Sequence, residues 1–150
     1  MIKFQIIVLF FIFLSLPVFA EGHDYSEKYY QNEWCSTWHG AQEVILKDKT
    51  RVDCVTKNYA VEFDFASKWA ESIGQAMYYA KMTGKNPAVI LIIEKPSDFK
   101  HYKKAEKITG DLGIKLWYMK SPKYQYLNFE YGAKIVADFK KLFFGRNELN

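Results

Sequence analysis

This 150-residue sequence lacks most of the features that identify repeat, low-complexity or multi-spanning proteins. It has no internal repeat and no biased tract, and its only long apolar run occupies residues 4–16. The formal net charge of +4 is small. A charge of that size is compatible with a polyanionic partner but too weak to indicate one. These absences favour a single soluble domain.

The apolar run belongs to a segment with the layout of a secretory signal peptide. Lys3 precedes the run, and a small residue, Ala20, ends the segment. We therefore expect residues 1–20 to be cleaved, leaving residues 21–150 as one domain that is periplasmic or secreted from a bacterial cell, without stable membrane insertion. The alternative is an uncleaved anchor, although the run is shorter than the ~20 residues of a spanning helix. The residue directly after the expected cleavage site is Glu21 rather than cysteine, which argues against a lipid anchor.

Cysteine is scarce, with only Cys35 and Cys54 present. In an oxidising compartment an even pair favours a disulfide. Closing a loop of about 20 residues would contribute about 3 kcal/mol of stability by chain entropy. Two buried free thiols are the alternative.

Patterning along the rest of the chain predicts alternating helices and strands. Apolar and polar side chains alternate over residues 59–65, as in a strand with one buried face. An apolar stripe at helical spacing runs from Trp69 to Ala80, and Gly84 can end that helix. The predicted elements are a helix at 24–34, strands at 43–47, 51–56 and 59–65, a helix at 68–83, a strand at 88–93, a helix from Ser97 to near Gly113, a strand at 114–119 and a helix at 132–144. This order predicts an α/β fold with a mixed central sheet flanked by helices.

Two acidic residues come together if residues 57–58 form a two-residue hairpin loop. In that register Asp53 lies opposite Glu62, and Arg51 lies opposite Asp64. Directly opposed side chains have Cβ atoms ~4.5–5.5 Å apart, and two carboxylates that close repel each other unless they share a cation or a proton. Mg²⁺ commonly uses one or two protein carboxylates, so the pair is a candidate site for a divalent cation such as Mg²⁺. A solvated polar strand face is an equally good alternative on spacing alone.

A polar stripe begins directly after the acidic strand. Lys68, Ser72, Gln75 and Tyr79 share one face of the predicted helix. A lysine there can stabilise negative charge that develops on a phosphoryl group, and glutamine and tyrosine can donate hydrogen bonds to phosphate oxygens. An ordinary solvated helix face is the alternative.

Together these segments resemble the core of the PD-(D/E)XK nuclease superfamily. The similarity covers residues 43–94 and includes the superfamily's αβββαβ order of elements. The spacing of Gln75 and Tyr79 is similar to the helix motif of the RecB-type branch. Small exported bacterial proteins of unassigned role also resemble this stretch, including its cysteine pair.

The resemblance implies a restriction-endonuclease-like fold and a metal-dependent nuclease that hydrolyses phosphodiester bonds, with DNA favoured over RNA as the partner. Asp53 and Glu62 match the two acids that bind Mg²⁺ or Mn²⁺, and Glu43 is positioned like an early acid that some members add as a ligand. Gln75 and Tyr79 match the helix motif that steadies the site and contacts the substrate.

The sequence departs from the family's pattern at the catalytic lysine. The position two residues after the second acid is Asp64. Either Lys68 replaces that lysine from the helix, or the domain is a catalytically degenerate module that binds nucleic acid or a protein partner. We interpret Asp64 as the ion-pair partner of Arg51, with a third metal ligand as the alternative. His39, four residues before Glu43, is a candidate acid/base or ligand, with a loop or capping role as the alternative.

Overall fold

Helices and strands follow one another in the order that the sequence predicts. The computed structural model describes residues 22–125. Its main elements are α1 (Glu27–Thr37), β1 (Ala41–Ile45), β2 (Arg51–Val55), β3 (Tyr59–Phe65), α2 (Trp69–Thr83), β4 (Asn86–Ile93), α3 (Phe99–Thr109) and β5 (Lys115–Lys120). The expected leader at 1–20 and the predicted helix at 132–144 lie outside the described residues. Within 22–125, no helix has the length and apolar character needed to cross a membrane.

The five strands form one mixed sheet whose spatial order is the chain order, β1-β2-β3-β4-β5. β1, β2 and β3 are antiparallel neighbours joined by short turns, whereas β4 runs parallel to β3 and β5 parallel to β4. Parallel neighbours need a crossover connection, which α2 and α3 supply. The predicted α/β class, with a mixed sheet flanked by helices, is therefore confirmed.

Strand β4 is the centre of the core because both of its faces are covered. Its alternate residues Ala88, Ile90 and Ile92 pack on the side of α1. The intervening residues pack on the side of α2 and α3, and they are Val89, Leu91 and Ile93. An uninterrupted apolar run is typical of a strand buried on both faces.

The β2–β3 hairpin adopts the predicted register. The regular pairs are Cys54–Val61 and Val55–Ala60. The residue before Cys54 in β2 is Asp53, whose Oδ2 accepts a hydrogen bond from the backbone N–H of Phe63 at 2.8 Å. Extending the register by one residue places Asp53 opposite Glu62, and the Asp53–Phe63 hydrogen bond links the two strands.

Several element boundaries differ from the prediction. α1 lies three residues later than expected and β1 two residues earlier, β4 begins two residues earlier, and α3 ends at Thr109 rather than near Gly113. The first two shifts flank the Cys35–Cys54 disulfide, which joins α1 to β2. The disulfide expected from the cysteine count is present, and the chain turns at His39 and Gly40 between α1 and β1.

Gly40 lies directly against the disulfide, which predicts a stability defect on enlargement. A Cβ at Gly40 would lie 2.5 Å from Cys54 Sγ and 2.7 Å from Cys35 Sγ. We expect Gly40→Ala to lower the free energy of unfolding by about 2 kcal/mol, since overpacking forces neighbouring atoms apart. Gly74→Ala in α2 is the matched control, because a Cβ there meets no atom within 4 Å. Thermal unfolding that is unchanged in Gly40→Ala would contradict the prediction.

Candidate active site

A cleft of about 540 Å³ brings together the acidic strands and the polar face of α2. Six of the residues singled out in the sequence line it: Asp53, Glu62, Asp64, Lys68, Gln75 and Tyr79. The two segments that carry the family resemblance therefore face the same space.

Local structure explains this convergence. Side chains alternate along β3, so Ala60, Glu62 and Asp64 share the face opposite the one that packs on α1. Tyr79 of α2 packs against Ala60 on that face. Gln75 lies one helical turn before Tyr79, which aligns the two side chains along the cleft.

The two central carboxylates are deeply buried. Asp53 and Glu62 are each only 6% exposed. Asp53 accepts the hydrogen bond from Phe63, but Glu62 Oε2 is buried and has no hydrogen-bond partner within the described part of the chain. A buried acceptor without a partner costs about 1–3 kcal/mol, and more when it is charged. Glu62 is thus suited to holding either a proton or a cation.

Burial and mutual repulsion favour the protonated forms of the pair. Burial is the main cause that raises the pKa of Asp53 to about 7 and that of Glu62 to about 10. The charge of Asp53 raises the pKa of Glu62 further, and the charge of Glu27 acts on both in the same direction. Near neutral pH the pair retains a proton when no cation compensates its charge.

The expected pairing of Arg51 with Asp64 is replaced by two other ion pairs. Lys68 Nζ lies 3.5 Å from Asp64 Oδ1, and Arg51 Nη1 lies 3.0 Å from Glu43 Oε2. Lys68 reaches Asp64 because it follows four residues later, at the start of α2. Arg51 instead turns toward the neighbouring strand β1, where Glu43 lies.

Glu43 and His39 are placed away from the cleft lining. The carboxylate of Glu43 is bound by Arg51, and Glu43 is not among the described residues that line the cleft. His39 is exposed and has a left-handed φ of 51° in the turn after α1. Its backbone N–H donates to the carbonyl of Ser36, which fits the loop role considered for it.

Two acids that the sequence did not single out also line the cleft, Glu27 at the start of α1 and Glu71 in α2. Glu27 accepts a hydrogen bond from Gln31 Nε2 at 2.9 Å. Burial, followed by the charge of Asp64, raises the pKa of Glu27. The four-residue spacing of Glu27 and Gln31 is a weak signal, because it does not indicate which side of the sheet α1 covers.

The centre of the acidic site consists of two carboxylates, those of Asp53 and Glu62. Among residues 22–125, no group of three or more His, Cys, Asp or Glu side chains is arranged to hold a metal ion.

Comparison of the chain with protein-family models, curated proteins and solved structures finds no match. Its function must therefore be inferred from the chemistry of the cleft, since a fold alone does not specify an activity.

Proposed function

We propose that this chain is an exported, metal-dependent nuclease with a restriction-endonuclease-like core that hydrolyses phosphodiester bonds in nucleic acid. The observation that carries the proposal is the unpartnered Glu62 Oε2, buried beside Asp53 in a cleft that also contains Lys68. The αβββαβ order of the elements from α1 to β4 supports the same core.

The acidic pair fits Mg²⁺ or Mn²⁺. A divalent cation held by Asp53 and Glu62 would compensate both charges and give the orphaned oxygen of Glu62 a partner. When bound, such a cation supplies an activated water and polarises the phosphoryl group.

Residues of α2 would supply the remaining interactions. The 3.5 Å separation of Lys68 and Asp64 is longer than the ~2.7–2.9 Å of a tight charge-assisted bond. Lys68 is also half exposed, so its ammonium is able to turn toward a phosphoryl oxygen and stabilise developing negative charge. Burial raises the pKa of Tyr79, which keeps its hydroxyl protonated as a donor. Gln75 offers a neutral amide donor one turn away.

A catalytically degenerate module that binds nucleic acid or a protein partner is the second candidate. It is favoured by Asp64, which occupies the usual lysine position and pairs with the lysine that would replace it. In this case Lys68 balances Asp64, and the cleft binds a ligand without cutting it.

Nuclease assays with metal controls separate the two candidates. Residues 21–150 are incubated with plasmid DNA, single-stranded DNA and RNA in EDTA, Mg²⁺ or Mn²⁺. We expect cleavage only with metal, and a rise in melting temperature that reflects about 2.7 kcal/mol of stabilisation at metal concentrations 100-fold above Kd. Absence of both cleavage and metal-dependent stabilisation would select the degenerate module.

A further inference from the structure

Three cations line the cleft, and among the described residues only Lys49 lacks an ion-pair partner. Arg51 is bound by Glu43 and Lys68 by Asp64. Within residues 22–125, the ammonium of Lys49 makes neither an ion pair nor a hydrogen bond. It is therefore the cation of the cleft wall that is most available to an anionic ligand.

Lys49 is presented by a hairpin tip that is held in place. The β1–β2 turn is closed by hydrogen bonds between Leu46 N and Thr50 O at 2.8 Å, and between Lys49 N and Leu46 O at 2.9 Å. Asp48 Oδ1 accepts hydrogen bonds from Thr50 N and Oγ1 at 3.1 and 2.7 Å. These bonds fix the backbone of Lys49, whose φ of 70° is left-handed.

The hairpin tip is also tied to the opposite wall of the cleft. Tyr78 of α2 donates its hydroxyl to Asp48 Oδ2. The next residue, Tyr79, lines the cleft floor beside Glu62. The Tyr78–Asp48 bond therefore fixes the distance between Lys49 and the acidic pair.

The charges of the cleft are arranged by depth. The acids Asp53 and Glu62 are buried at the floor, whereas Lys49 is exposed on the wall. At the rim, a polyanionic chain meets Lys49 on the hairpin and the exposed acid Glu71 on α2, while Asp53 and Glu62 are reached only by a group that enters the bottom of the cleft. An exposed lysine without an internal partner binds a phosphate with little desolvation cost.

We propose that the β1–β2 hairpin is the substrate-binding wall of the cleft, with Lys49 binding a backbone phosphate of the nucleic acid and the Tyr78–Asp48 bond positioning it. The class of ligand rests on the proposed function. Lys49 acts in binding, whereas Tyr78 is a positioning residue.

The test compares two lysines of the same hairpin. Lys49→Asn removes the cation but suits the left-handed backbone, because asparagine adopts that conformation readily. Lys47→Asn makes the same change in charge at an exposed residue of the hairpin that does not line the cleft. The probe is a fluorescein-labelled single-stranded DNA oligonucleotide, titrated by anisotropy in Ca²⁺ over a series of salt concentrations.

We expect Lys49→Asn to raise Kd about five- to tenfold and to reduce the slope of log Kd against log salt by about one. Lys47→Asn should stay within about twofold of the parent, and Lys49→Arg should restore binding. Tyr78→Phe should weaken binding although it leaves the net charge unchanged. Equal losses in the two asparagine variants, or no binding by the parent, would overturn the proposal.

Failure of this proposal is distinguishable from failure of the nuclease function. If the parent cuts with metal but the two asparagine variants bind DNA alike, the nuclease function is supported and the binding role of the hairpin is wrong. If the parent never cuts yet Lys49→Asn alone loses affinity, the binding role of the hairpin is supported and the cleft belongs to a binding module.

Discussion

Replacing Glu62 by glutamine is expected to abolish metal-dependent cleavage while leaving the protein folded. The amide keeps the shape of the side chain but removes the charge that would hold a divalent cation beside Asp53. We expect cleavage of plasmid or single-stranded DNA to fall by about 10³-fold or more, since one ligand of a two-acid site is lost. Initial rates at saturating Mg²⁺ or Mn²⁺, with circular dichroism to verify folding, provide the measurement.

Two companion variants make this result specific. Asp53→Asn should lose activity to a similar extent, because the opposed carboxylates act as one site. Glu33→Gln carries the same chemical change on an exposed residue of α1 and should cut like the parent. If Glu62→Gln and Asp53→Asn both retain parental rates, the acidic pair is not the catalytic site, whatever activity the chain has.

Much of the architecture could be predicted because it depends on short-range patterns. The alternation over residues 59–65 and the apolar run of β4 each identify a strand and its buried faces. A two-residue turn fixes the β2–β3 register, and this register predicts that Asp53 and Glu62 lie opposite each other. Gly84 ends α2 with a left-handed φ of 65°, as its position predicts.

The ion pairs and the added acid could not be predicted in the same way. Arg51 pairs with Glu43 on β1 and Lys68 pairs with Asp64 on β3, and these choices depend on side-chain directions that strand spacing does not specify. Glu27 lines the cleft because α1 packs against the sheet, through Tyr30 and the Cys35–Cys54 disulfide. Such long-range arrangements leave no periodic signal in the sequence.

The protonation of the acidic pair predicts an unusual dependence of stability on pH. The folded-state pKa of Glu62 is raised to about 10, and that of Asp53 to about 7, from their ordinary values of 4.5 and 3.8. Between about pH 4.5 and pH 10 the folded state therefore binds more protons than the unfolded state. Stability consequently falls as pH rises through this window, because the unfolded state loses protons that the folded state still holds on the buried pair.

Glu62→Gln should remove most of this pH dependence. In EDTA at pH 5 the variant and the parent should melt at similar temperatures, since Glu62 is protonated in the folded parent and only partly ionised in its unfolded state. At pH 9 the variant should be more stable by about 2 kcal/mol or more, a rise in melting temperature of roughly 5 °C or greater. Glu33→Gln should follow the parent at every pH.

A difference in stability between Glu62→Gln and the parent that is constant from pH 5 to pH 9 would show that Glu62 is not protonated in the folded protein. A gap that widens with pH would instead identify the Glu62 carboxylate as a source of instability in the metal-free protein, as its raised pKa predicts.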